Sequence, residues 1–238
     1  MKIALLGYGK IGKEIEKVAL GRNHEIVLVI DVSNLEALTG ENLRQADVAI
    51  DFSAPGSAFS NIVACFEAGI PVVCGTTGWL DQMEEVKTMC RQRNQTFFYA
   101  SNFSLGVNVF FAVNRYLASI MDQLDDYDVW LKEIHHIHKQ DAPSGTALSL
   151  AVDIIAALGR KSSWELNKAS ESSSLKISAV REGEVPGTHT ITYDSPVDTL
   201  EISHVAKSRK GFALGAVLAA EFIRDRKGVF EMKDMIGF

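Results

Sequence analysis

The chain reads as an α/β protein: a Rossmann-like parallel sheet with helices, followed by a smaller α+β domain on an open mixed sheet. A glycine-rich turn directly follows the first apolar run, in "KIALLGYGKIGKEIEKVAL". Four more short apolar runs alternate with helical stretches up to residue 104, and beyond it runs of period two take over. Strands alternating with helices build parallel sheets through right-handed crossovers. Period-two runs suit a sheet with one solvated face.

The first such stretch (2–20) gives a strand, a turn and a helix with Ile11, Ile15, Val18 and Ala19 on one face. "EIVLVID" (25–31) is a second strand, β-branched enough to be buried on both faces. "ADVAIDFS" (46–53), "PVVCGTTG" (71–78) and "QTFFYASNFS" (95–104) add three strands, with helices at 55–68 and 80–93. Residues 105–122 predict a long helix and "YDVWLKEIHHIH" (127–138) a strand. "SGTALSLAVDIIAAL" (144–158) is helical, with Leu148, Ala151, Ile155 and Leu158 on one face. The Ser- and Lys-rich stretch 161–174 reads as an exposed loop. "LKISAVREG", "HTITYDS" and "DTLEISHVA" read as strands with antiparallel pairs, and "FALGAVLAAEFIRD" as a helix that packs back on the first domain. The expected division is 1–104 with 210–238, and 105–209.

Over 238 residues the chain is 47% hydrophobic and 23% charged, an ordinary globular composition. A net charge of −6 gives no electrostatic reason to expect nucleic acid or an anionic membrane as partner. Any bound anion must therefore be held by local groups. No apolar run approaches the ~20 residues needed to cross a bilayer, and the N-terminal strand lacks a signal-peptide cleavage site. Cys65, Cys74 and Cys90 form no C-x-x-C pair and read as reduced thiols. The expectation is a soluble cytoplasmic protein.

Gly7-Tyr8-Gly9-Lys10-Ile11-Gly12 is a G-x-G-x-x-G that follows a strand and opens a helix within a βαβ unit. In that setting the glycines permit a tight turn, and backbone N–H groups at the helix N-terminus can approach a pyrophosphate. Asp31 ends the second strand, 19 residues beyond Gly12, where a carboxylate accepts the adenosine ribose hydroxyls. An aspartate there can also cap the next turn. Val32-Ser33-Asn34 offers no arginine for a 2′-phosphate, so NADH is favoured over NADPH.

"EIHHIHKQDAPSGTA" (133–147) concentrates proton-transfer groups ahead of a helix. A metal site could draw on His135, His136, His138 and Asp141. Adjacent strand side chains point to opposite faces, so His136 and His138 could share a face, and His135 would join them only if the strand bends. No H-E-x-x-H is present, and no metal is expected. Ser144-Gly145-Thr146 opens a helix after Pro143, which makes a carboxylate site of its N–H groups and hydroxyls. Lys139 sits just before that turn, and histidine beside lysine suits proton transfer near neutral pH.

With these motifs the chain resembles the 4-hydroxy-tetrahydrodipicolinate reductase (dihydrodipicolinate reductase) family. The 133–147 stretch is similar to that family's signature. "IDFSAP" (50–55), "CGTTG" (74–78), "SNFSLGVN" (101–108), "REGEVPGTHT" (181–190) and "SRKGFALGA" (208–216) follow in the family's order over nearly the whole chain. The resemblance implies an oxidoreductase of lysine and diaminopimelate biosynthesis that reduces a small cyclic dicarboxylate with NADH or NADPH. It implies that His135 and Lys139 are the acid–base pair. It implies that His136, Ser144, Gly145 and Thr146, assisted by Lys139, hold the substrate carboxylates. Gly75, Thr76, Thr77, Ala100, Ser101, Asn102 and Phe103 would line the nicotinamide side of the cofactor site. The first domain would bind the dinucleotide, and 105–209 would bind substrate and build a homotetramer.

Some positions depart from the family pattern. Trp79 stands where Phe or Tyr is usual, Thr188 precedes His189 where Glu is common, and 161–174 is trimmed. Outside the signature, His24 reads as a turn residue, while His189 and His204 read as supports of the sheet. Arg181 and Arg209 read equally as cleft cations or as surface pairs.

Overall fold

In the computed structural model, which describes residues 1–208 and 210–237, strands and helices first alternate. They run β1 (Lys2–Leu6), α1 (Lys10–Gly21), β2 (Glu25–Ile30), α2 (Gly40–Leu43), β3 (Val48–Asp51), α3 (Pro55–Ala68), β4 (Val72–Cys74), α4 (Met83–Gln92) and β5 (Thr96–Tyr99). Then come α5 (Leu105–Met121), β6 (Asp128–His135), α6 (Gly145–Ala157), β7 (Ser163–Leu166), β8 (Ser174–Arg181), β9 (Thr188–Asp194) and β10 (Thr199–Val205). The chain closes with α7 (Lys210–Ile223), β11 (Gly228–Phe230) and α8 (Met232–Ile236). Two units result: Met1–Leu105 with Arg209–Phe238, and Gly106–Ser208.

The first unit holds a six-stranded sheet in the order β11-β5-β4-β3-β1-β2, every pairing parallel. All four residues of β3 are buried, as an apolar strand covered on both faces should be. Ile3, Leu5, Val48, Ile50 and Phe98 face Ile15 and Ala19 of α1 and Ala216, Val217 and Ala220 of α7. Ala4, Leu6, Ala49, Val72 and Phe97 face Ile62 and Phe66 of α3 and Val86 of α4. Helix α3 begins with Pro55 in its first turn and ends at Gly69, whose φ of 76° is the left-handed stop that glycine adopts freely. Gly215 lets α7 approach the chain after β5 closely. A Cβ there would stand 1.8 Å from the Phe103 carbonyl oxygen. Strand β11 was not expected, because three residues are too few to show a period.

In the second unit the sheet order is β10-β9-β6-β8-β7. β6 pairs antiparallel with β9, and β9 with β10, but β8 runs parallel to both β6 and β7. The sequence suggested antiparallel pairs; α6 instead returns the chain so that β8 lies parallel beside β6. The expected loop at 161–174 contains β7, an exposed edge strand too short and polar to signal itself. Lys161 anchors its start, donating to the Ser172 carbonyl at 2.7 Å and pairing with Asp128 at 2.7 Å. Val129, Leu131, Ile177, Ile191 and Tyr193 form the core with Phe110 and Met121 of α5 and Leu150 and Ile154 of α6. The buried face of α6 is centred on Ala147, Leu150, Ala151 and Ile154, about one position away from the expected stripe; Leu148 and Ile155 are half-buried.

Cys65, Cys74 and Cys90 are buried free thiols, and burial raises the pKa of each. Among the described residues no helix is long and apolar enough to cross a membrane.

Candidate active site

Parallel pairing puts the C-terminal ends of β1 to β5 on one edge of the first unit's sheet, and with them the loops singled out above. Strand order reverses at β1, which has β2 on one side and β3 on the other. Ligands of such sheets bind where the loops diverge at this switch point. Gly7 has φ 95°, donates its N–H to the Ile30 carbonyl at 2.8 Å, and would place a Cβ 2.2 Å from the Phe52 carbonyl oxygen. A Cβ on Gly12 would meet the Gly7 carbonyl oxygen at 2.3 Å. Gly9 is exposed with open space where its Cβ would be, and it precedes α1 without a side-chain cap. The turn therefore fits an anion at Gly9 and the first turn of α1, where Lys10 and Ile11 stand. Tyr8 is turned aside: its hydroxyl donates to Glu16, which raises its pKa, and Lys13 lies 5.6 Å above its ring.

Asp31 caps the turn that follows β2. Its Oδ1 accepts from the Ser33 N–H and hydroxyl at 2.7 Å each, and these donors keep the carboxyl ionised by lowering its pKa. The charge of Lys13 adds to that lowering, which the sequence pattern gave no reason to expect.

Gly75, Thr76 and Thr77 follow β4. A Cβ on Gly75 would stand 2.2 Å from the Phe52 ring. Thr76 is buried; its hydroxyl donates to Asp51 Oδ1 at 3.2 Å and accepts from the Ser53 N–H at 2.9 Å. Its side chain thus ties the loops after β3 and β4 together, while Thr77 is exposed. After β5, Ala100 is buried, Ser101 is exposed, and Asn102 Oδ1 accepts the Ser104 N–H at 2.9 Å. The Phe103 side chain lies in the core between Phe52 and Phe98, so its ring is a support for this loop.

The second unit gathers the signature at the end of β6. His135, its last residue, is buried and directed at Glu133 and His189. Glu133 is fully buried, with Oε2 3.6 Å from His135 Nδ1 and 3.8 Å from His189 Nε2. His136 and His138 turn away as a pair with ring centres 5.9 Å apart, and His138 meets Glu184 at the surface. The four-ligand metal set of His135, His136, His138 and Asp141 is thus divided. Glu133, His135 and His189 do bring three possible ligand atoms within 4.8 Å of one another. Yet Arg181 and the Ser144 N–H already occupy both carboxylate oxygens of Glu133, at 3.0 Å each. The donor set is that of an internal ion pair rather than of a cation site.

Lys139 Nζ meets both Asp141 oxygens, at 2.7 and 2.8 Å, and the contact lowers the Asp141 pKa. Ser144 caps α6 through its hydroxyl, which accepts the Ala147 N–H at 3.2 Å and contacts His189 Nε2 at 3.2 Å. Gly145 is exposed at the start of the helix, with nothing within 4 Å of where a Cβ would stand, and half-buried Thr146 follows. Burial lowers the His135 pKa, against the pull of Glu133. His189, buried and beside His135, falls to about 4. Burial would raise the Glu133 pKa, but its Ser144 and Arg181 donors outweigh that and hold it down.

Sequence reasoning gave Glu133 no role, left Arg181 between a cleft cation and a surface pair, and read His189 as a support of the sheet; the structure joins all three. Their partnership is set by strand register: His135 stands opposite Arg181 of β8, and Glu133 opposite His189 of β9. The one available signal was an acidic residue at an inward-facing position of β6. His204 stacks near Phe110 and stands 2.9 Å from where a Gly106 Cβ would be, consistent with a packing role. Arg209 lies outside the described residues.

Two family models match the chain, dihydrodipicolinate reductase N-terminus over residues 1–103 and C-terminus over residues 106–236. A 4-hydroxy-tetrahydrodipicolinate reductase of Christiangramia forsetii is 50% identical over 238 residues, covering 99% of this chain and 98% of the relative. One of Methanosarcina acetivorans is 38% identical over 239 residues, covering 99% and 89%. Among solved structures, a dipicolinate-bound dihydrodipicolinate reductase from a Paenisporosarcina species superposes with a TM-score of 0.79 over 98% of both chains, at 22% identity. That likeness bears out the fold.

Proposed function

The chain belongs to the dihydrodipicolinate reductase family, and we propose that it reduces 4-hydroxy-tetrahydrodipicolinate to tetrahydrodipicolinate with NAD(P)H, with loss of water. The observation that carries this reading at the level of residues is one loop. It joins a buried histidine, a lysine and a helix N-terminus within residues 135–146.

The dinucleotide, when bound, supplies the hydride. The Gly7–Gly12 turn (Gly7, Tyr8, Gly9, Lys10, Ile11 and Gly12) would cradle its pyrophosphate with backbone N–H groups, and Asp31 would accept its ribose hydroxyls. Gly75, Thr76, Thr77 and Ala100–Phe103 would shape the nicotinamide end. We read NADH as the favoured form, because the turn after Asp31 offers no cation for a 2′-phosphate.

His136, Ser144, Gly145 and Thr146 would hold the substrate carboxylates, with the first turn of α6 contributing N–H groups and the positive end of its dipole. Lys139 Nζ would exchange its Asp141 carboxylate for a substrate carboxylate. It then gives a proton to the carbon next to the one reduced, where electron density accumulates. Buried His135 would help to bind and polarise the substrate. We also read the protein as a homotetramer built through the second unit's sheet. The exposed apolar side chains of Trp164, Leu200 and Val205 support this reading.

The test of the reaction is a coupled assay. A condensing synthase makes the substrate from pyruvate and aspartate semialdehyde, and loss of reduced nicotinamide absorbance is followed. Turnover that needs both this protein and the synthase is the expected result. No turnover with either dinucleotide would contradict the assignment.

A further inference from the structure

We infer that the ion pair of buried Glu133 and half-buried Arg181 is the positioning device of this site, a role that rests on His135 and Lys139 being the acid–base pair. Neither residue is placed against the substrate in the reading above. Between them they make three hydrogen bonds to the loop that carries the chemistry.

Arg181 uses its guanidinium as a clamp. Nε donates to the Lys139 carbonyl at 3.2 Å, and Nη2 donates to the Asp141 carbonyl at 2.5 Å and to Glu133 Oε1 at 3.0 Å. Nη1 closes on the Val180 carbonyl at 2.9 Å. A planar fork of donors can meet four acceptors in these directions; an ammonium on a flexible stem cannot. Glu133 Oε2 accepts the Ser144 N–H at 3.0 Å. The pair therefore grips the loop at Lys139, at Asp141 and at the cap of α6. Both ends of the lysine-to-carboxylate-site segment are referred to one fixed point on β6 and β8.

The same carboxylate faces His135. Around that ring stand Glu133 on β6, Arg181 on β8, His189 on β9, and Lys139 and Asp141 on the loop. Glu133 is the nearest anion, so it favours a proton on Nδ1 and leaves Nε2 on the side of Gly187. A Cβ on Gly187, where φ is 155°, would stand 3.1 Å from Nε2. The neighbouring Arg181 neutralises Glu133, so the carboxylate can sit under a site for a dianionic substrate without repelling it.

Glu133→Gln and Arg181→Lys separate the two roles, measured beside wild type and His135→Ala in the coupled assay. Glu133→Gln should lower kcat by roughly 10–100-fold, the scale of a misplaced catalytic group, with KM for the dinucleotide unchanged. The limb of the kcat/KM pH profile that reports His135 should move to lower pH, because the carboxylate that favours its protonation is gone. Arg181→Lys keeps the charge but loses the fork. It should lower kcat by about tenfold or more while leaving that limb where it is.

If both variants fold and keep the wild-type kcat and pH profile, the positioning role is overturned. Proportionate losses in substrate and dinucleotide kinetics with no moved limb would overturn it too, since general destabilisation behaves so. Should Glu133→Gln fail to fold, Arg181→Lys decides through its split between kcat and the dinucleotide KM. Wild type inactive, or His135→Ala as fast as wild type, would instead overturn the catalytic reading on which the inference stands.

Discussion

Asp31 is the side chain on which the proposed dinucleotide choice turns. In the proposed reading its ionised carboxylate would accept ribose hydroxyls and repel a 2′-phosphate, so Asp31→Ala should narrow or reverse a preference for NADH, read as the ratio of kcat/KM for the two dinucleotides. A wild type that strongly prefers NADPH would give the decisive role to Lys13, whose charge already reaches Asp31. His189 carries a different kind of consequence. It binds a proton at about 4 in the folded protein against an ordinary 6.5. Above pH 6.5 the ring is neutral in both states and contributes nothing; between 6.5 and 4 the unfolded chain takes up a proton that the folded one refuses. Stability should therefore fall by about 3 kcal/mol across that window, the linkage equivalent of the shift. Urea unfolding at several pH values should show a shallower acid-side fall in His189→Gln. At this scale the signature loop could be read from the chain, because its residues are neighbours in sequence. Glu133, Arg181 and His189 could not be joined, because strand register brings them together from positions about 50 residues apart.

Asp51 shows how an element's end can hold two loops at once. It closes β3 fully buried, its Oδ1 accepting from Ser53 and Thr76 while Oδ2 has no partner. Burial raises its pKa to about 6 from 3.8, despite those donors. Its folded pKa lies above the unfolded one, so the stability of the protonated form is lost as pH rises from 3.8 through 6. Asp51→Asn keeps an acceptor for the loops without the buried charge. It should gain about 1–3 kcal/mol at pH 8, shrinking as pH falls toward 4, as thermal melting would show. Gly215→Ala tests α7: its methyl would enter the space of the Phe103 carbonyl, costing about 1–3 kcal/mol or more and lowering the melting temperature. Long periodic elements such as α3 and α5 were legible because many residues repeat one signal. β7, β11 and α8 were not, being three to five residues held by pairing and packing.

For the molecule as a whole, the change of pattern near residue 104 was visible because parallel buried strands and half-solvated strands carry different periods. The direction of β8 was not, since period two is the same in parallel and antiparallel pairs. If the second unit's sheet assembles four copies, light scattering should give four times the 26.1 kDa chain mass. A charge placed by Leu200→Glu, at an exposed position of β10, should lower it. The central claim, however, is that Lys139 both holds a dianion and supplies its proton. Steady-state kinetics of Lys139→Ala with dinucleotide affinity measured alongside tests it most directly. The predicted result is a kcat lower by about 100-fold or more, with dinucleotide binding unchanged, since the loops assigned to it lie in the first unit. An intact kcat with only a raised KM for substrate would contradict it, making Lys139 a binding residue and moving the proton to His135 or a bound water.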